Sequence, residues 1–153
     1  MVRKRKLEKR NIVVYALVSQ LDKRLYVGQC SAESLSAIYR HHINGKYSDT
    51  AQLFADSLKV QKLPNVYKLT EYEGYTNKSK IYLYAYMRYF QLQGFRLLLG
   101  GEAGEWVKDI SIASRQYLDQ ITNTPVNEIL TDEACVIKDY QLKAWCQPAA
   151  EAP

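Results

Sequence analysis

Apolar and polar positions alternate between two periods along this chain, and the switches between them predict its elements. Asn11–Ser19 reads as a strand, with Ile12, Val13, Val14, Tyr15, Leu17 and Val18 supplying β-branched and aromatic side chains. Leu21, Asp22 and Lys23 make a turn, and Arg24–Gln29 returns as the second strand of a hairpin. The period then changes. Leu35, Ile38, Tyr39 and His42 recur at helical spacing behind a cap at Ser31 or Ser34, and Gly45 closes that helix. Asp49 followed by Gln52 resembles a capping box for a second helix carrying Leu53, Phe54, Leu58 and Val60.

After Pro64, the run Val66–Glu73 predicts a third strand ended by Gly74. A third helix spans about Lys78 to Gln93, with Tyr82, Tyr86, Tyr89 and Phe90 on one face. Ile81, Leu83, Tyr84 and Met87 fill much of the rest, which places this helix centrally. A short apolar run, Phe95–Leu99, precedes Gly100 and Gly101. Beyond Gly104, Ile110–Ile121 reads as a helix broken by Pro125, and a last helix is predicted from Thr131 or Asp132 to about Trp145. The pattern divides the chain into an arm (residues 1–10), an α/β domain (11–101), an α-helical extension (102–146) and a tail (147–153).

Charge sharpens that division. The net charge of +5 is +5 in residues 1–10, +5 in residues 11–100 and −5 in residues 101–153. A basic arm and domain suit a phosphate backbone, because neutralising phosphates releases counterions. The acidic extension can instead dock on the basic part. Thirteen tyrosines imply either a core with polar edges or an adhesive surface. Cys30, Cys135 and Cys146 form no CxxC pair, so neither a disulfide framework nor a zinc site is read, and reduced thiols fit a cytoplasmic protein. No stretch nears the ~18 apolar residues of a membrane span.

Two tripeptides on the predicted hairpin, Val13-Val14-Tyr15 and Tyr26-Val27-Gly28, carry a family resemblance. With the order hairpin, helix, helix, strand, helix over residues 11–101, the chain resembles the GIY-YIG nuclease domain. That resemblance implies a small three-stranded antiparallel sheet flanked by helices. It also implies a phosphodiester-cleaving site: two tyrosines on the hairpin, an Arg on the first helix, and a Glu on the third helix holding Mg²⁺ or Mn²⁺. Tyr15 and Tyr26 match the tyrosines. Gly28 matches the motif glycine, where a missing side chain lets substrate approach. Val13 stands where the family has glycine.

The remaining positions depart. Counting four residues back from His42 gives Ile38, and from His41 gives Ala37, so the family's Arg is absent in register. Arg40 is the helix's sole Arg, and it lies nearly opposite Ile38 at about 200° round the helix. The Glu position falls on Leu83 or Tyr84, and residues 74–101 hold no carboxylate. Leu99 replaces an Asn. Glu102 and Glu105 lie just beyond and are the nearest acids that can substitute.

The expectation is therefore a nucleic-acid-binding protein, for DNA or RNA, on a nuclease fold that has lost catalysis and needs no cofactor. Arg3, Lys4, Arg5, Lys6, Lys9, Arg10, Arg24 and Gly28 are its expected contacts, and Tyr15, Tyr26, Arg40 and His42 are the residues expected to line the old cleft. One alternative is an active endonuclease with a relocated Arg and acid, using Mg²⁺ or Mn²⁺. Another is a protein-binding inhibitor or adaptor of the phage or mobile-element type, whose acidic third imitates a nucleic-acid strand.

Overall fold

The computed structural model describes residues 10–74, 78–99, 102–103 and 110–138. The expected hairpin is there. β1 (Arg10–Val18) pairs antiparallel with β2 (Arg24–Ser31), placing Tyr15 opposite Gly28 and Leu17 opposite Tyr26. Ser19 shapes the turn, its Oγ accepting from the backbone N–H groups of Leu21 (3.0 Å) and Asp22 (3.3 Å). A 3-10 turn at Ala32–Ser34 leads into α1 (Leu35–Ile43), and α2 (Ser48–Val60) follows. β3 (Asn65–Gly74) lies antiparallel on the other side of β1, with Leu69 as an unpaired bulge residue opposite Val14/Tyr15.

β1 is thus an inner strand, and all of Ile12–Leu17 is buried. Its alternate side chains feed two cores. Val14 and Ala16 join Leu25 and Val27 beneath α3 (Ser79–Leu92). Val13, Tyr15 and Leu17 join Tyr39, Ile43 and Phe54 beneath α1 and α2. Helices therefore cover both faces of the sheet, which explains the near-continuous apolar run of β1.

The sheet is larger than the three strands expected. Among the described residues it has six, in the order β5-β4-β2-β1-β3-β6, mostly antiparallel. β4 (Arg96–Leu99) lies parallel to β2 and buries Leu97 and Leu98, so the apolar run after Gly94 is a strand. β5 (Glu102–Ala103) continues from it.

The extension is also not wholly helical. α4 (Ile112–Ile121) is there, capped by Ser111, whose Oγ accepts from the Ser114 N–H. α5 (Val126–Ile129) is a single turn that the pattern did not indicate. In place of a last helix, Thr131 starts a turn and β6 (Cys135–Ile137) pairs with β3. The Thr131 Oγ1 accepts from the Ala134 N–H. The same local bond serves a helix cap and a turn, so the residue type alone did not separate them. The rest of that predicted helix, to Trp145, lies outside the described residues, as does Cys146.

The second helix begins one residue before the expected cap. Asp49 is in its first turn, and no side chain caps it. Gln52 instead donates to Asp56 Oδ1 one turn on (2.9 Å). Among the described residues no helix is long and apolar enough to cross a membrane.

Candidate functional site

Tyr15 and Tyr26 emerge side by side on the α1/α2 face of the hairpin. Tyr26 faces Leu17 across the ladder, so it is the diagonal neighbour of Tyr15, with ring centroids 6.3 Å apart. Gly28 lies directly opposite Tyr15. A Cβ on Gly28 would meet Tyr15 Oη at 2.6 Å, Tyr15 Cζ at 2.7 Å and Tyr26 Cε2 at 2.8 Å. The glycine therefore makes room for the two rings. The expected opening for substrate at this position is filled by the protein itself.

His42 completes the group from α1. The Tyr15 hydroxyl lies 3.3 Å from His42 Nε2, and His42 Nδ1 lies 2.6 Å from Thr50 Oγ1 at the start of α2. A neutral imidazole has one donor and one acceptor nitrogen, and both hydroxyls can play either part, so either tautomer satisfies the chain. Rings enclose the imidazole: Tyr47 at 4.3 Å, Tyr26 at 5.3 Å and Phe54 at 5.8 Å between centroids. Tyr15 is 2% exposed and His42 is 1% exposed. Helical spacing explains the placement, since Tyr39 and His42 share the inner face of α1.

Burial sets the electrostatics. It raises the Tyr15 phenol far above its usual range. Tyr26 is pushed up to about 12, by burial first and then by the Asp49 charge. His42 is lowered to about 4, by burial and then by the neighbouring His41 charge. Burial also pushes the Cys30 thiol up to about 11. At neutral pH all four are uncharged. Tyr26, half-buried at the rim, can donate a hydrogen bond outward. None of the four is poised to take a proton from water near pH 7.

The remaining expected residues lie elsewhere. Arg40 is exposed on the outer face of α1, away from the tyrosines, where it lines an open depression with Ala37, His41, Asn44 and Lys46. Arg24 was expected to contact nucleic acid. Its Nε donates to Asp22 (2.9 Å) and its Nη1 to Asp56 (2.9 Å), tying the hairpin turn to α2. Arg10 is exposed at the start of β1. Arg3, Lys4, Arg5, Lys6 and Lys9 lie outside the described residues, as does Glu105. Glu102 belongs to β5 at the sheet edge, two strands away from β2. Leu83 packs into the core under α3, and Tyr84 is exposed.

Three residues of the cluster were not singled out by the sequence. Thr50 and Tyr47 had no motif to mark them, and Asp49 was read only as a cap. A signal existed for Thr50: it lies eight residues after His42, across one tight helix–helix turn at Gly45, whose left-handed φ of 74° lets the chain reverse. Among the described residues, no three His, Cys, Asp or Glu side chains gather as a metal-binding group. No protein family, curated protein or solved structure matches this chain.

Proposed function

We propose that this chain binds nucleic acid through a GIY-YIG-like domain that no longer cleaves it. The observation that carries this reading is the filled site. Tyr15 spends its hydroxyl on a buried His42–Thr50 chain, and both motif rings occupy the space above Gly28. The hairpin–helix–helix–strand–helix order supports the fold resemblance. The three-stranded unit of that family corresponds here to β2-β1-β3, with β4, β5 and β6 added at its edges. The basic arm and the cations on the outer face of α1 supply attraction for phosphates.

The test compares full-length and arm-deleted protein on labelled DNA and RNA at low salt. Binding that weakens steeply with salt, with no cutting in Mg²⁺ or Mn²⁺, is the expected result. Failure of both proteins to bind either polymer overturns the reading.

One observation favours a second reading, an active endonuclease with a relocated acid. Asp49 lies close enough to Tyr26 for its charge to raise that phenol, and it is partly exposed. A hard divalent ion needs at least such a carboxylate, although one carboxylate is a sparse donor set. Metal-dependent nicking abolished by Asp49→Asn and by Tyr26→Phe would select this reading.

A further inference from the structure

The outer face of α1 carries a second polar site that the tyrosine cluster does not use. Ala37, Arg40, His41 and Asn44 recur at helical spacing, and Lys46 returns to them just after the left-handed Gly45. Together they line an open depression of about 280 Å³, with no carboxylate among the lining residues. Cations at a helix end often cap its last carbonyls. Here backbone groups do so instead. Asn44 N–H donates to Arg40 O (3.0 Å), Gly45 N–H to His42 O (3.0 Å) and Lys46 N–H to His41 O (3.1 Å). Those three carbonyls thus have backbone partners.

We infer that this depression is a phosphate-binding site. The ligand is a phosphate group, supplied by a nucleic-acid backbone if the proposed function holds, or by a small free phosphate compound if it does not. The donors suit that chemistry. A guanidinium fork and an amide give directed hydrogen bonds, while the ammonium acts as a compact charge. The site is continuous with the tyrosine cluster through rings, His41 to Tyr47 at 6.3 Å and Tyr47 to His42 at 4.3 Å. A backbone held by Arg40 and Lys46 would therefore pass the half-buried rim of Tyr47.

The chain has two histidines, which gives a built-in probe and control. His41 lines the depression, and His42 is buried and outside its lining. The experiment follows both imidazoles by NMR during titration with inorganic tripolyphosphate and, separately, with a short DNA duplex. It runs beside fluorescence anisotropy of the same duplex. Arg40→Gln/Lys46→Gln is compared with Lys59→Gln/Lys62→Gln, which removes the same charge from the exposed end of α2.

Both titrants should move the His41 signals far more than those of His42, which the His41 charge and the Tyr47 ring also reach. The Arg40/Lys46 variant should lose that response, bind duplex about tenfold more weakly, and show a salt slope shallower by ~2. The control variant should change far less. A His41 response to tripolyphosphate without duplex binding keeps the phosphate site and removes the nucleic-acid reading. Duplex binding with His41 unmoved, or with both variants equally weakened, overturns the site and leaves that reading intact. No response to either titrant overturns both.

Discussion

Tyr15, on one face of the sheet, uses its hydroxyl in the opposite way from the tyrosines of the other face. On the α3/α4 face, tyrosine hydroxyls reach the polar edge of an apolar core. The Tyr89 hydroxyl donates to the Thr124 carbonyl, while that of Tyr86 reaches the Leu69 carbonyl and the Tyr117 hydroxyl. On the α1/α2 face, Tyr15 turns its hydroxyl inward, to a buried imidazole that must stay neutral. The first face is held by volume and by separate hydrogen bonds at its edge. The second depends on a chain of mutually satisfying groups, which makes it sensitive to pH and to the loss of any member.

The largest expected effect tests the apolar face. Phe90 is fully buried among Tyr86, Tyr89 and Phe95. Phe90→Ala should cost about 3–5 kcal/mol in urea unfolding, and the loss should be the same at pH 7 and pH 5. A strongly pH-dependent loss would erase the contrast between the faces.

The histidine face should respond to acid. His42 titrates near 6.5 when unfolded and at about 4 when folded, so between those values the unfolded chain holds the extra proton. Its contribution is complete above pH 6.5, falls as pH drops, and is gone near pH 4. The total is about 3 kcal/mol. His42→Gln keeps hydrogen-bonding capacity without a titrating group. The difference between wild type and this variant should therefore depend on pH only across that window. Parallel stability curves would mean that the imidazole is not held neutral.

Gly28→Ala should cost about 1–3 kcal/mol, because the new methyl meets ring atoms of Tyr15 and Tyr26 below 3.0 Å. This substitution also separates packing from access. If Gly28 serves the passage of substrate, the variant keeps its stability and loses function. If the rings need the space, its thermal midpoint falls.

Much of this comparison was legible in the chain. The hairpin, the first three helices and the third strand follow from hydrophobic period and glycine punctuation, because those elements bury long regular faces. The family resemblance implied that Tyr15 and Tyr26 lie side by side, and the hairpin register makes them diagonal neighbours. The rest depended on partners far away in sequence. Phe95–Leu99 is too short for periodicity to identify, and it became a strand because β2 offered an open edge. Cys135–Ile137 did the same at β3, against the helical pattern that begins at Thr131. Arg24 looked like a surface cation until α2 brought Asp56 to it. The Tyr15–His42–Thr50 chain joins three elements, and no single segment encodes it.

The smallest predicted effect tests the independence of the faces. Tyr86→Phe removes one hydroxyl, leaving the Leu69 carbonyl and the Tyr117 hydroxyl without that partner. Leu69 is the bulge residue of β3, and Tyr117 is half-buried, so water can replace part of what is lost. The expected cost is about 1 kcal/mol, the usual net value of a single neutral hydrogen bond. Tyr86 and His42 share no partner and lie on opposite faces, so the double variant Tyr86→Phe/His42→Gln should show additive losses at every pH. A non-additive result would mean that the sheet transmits strain between its two cores. The bulge at Leu69 would then be the place to look, because it adjoins Val14 on one face and Tyr15 on the other.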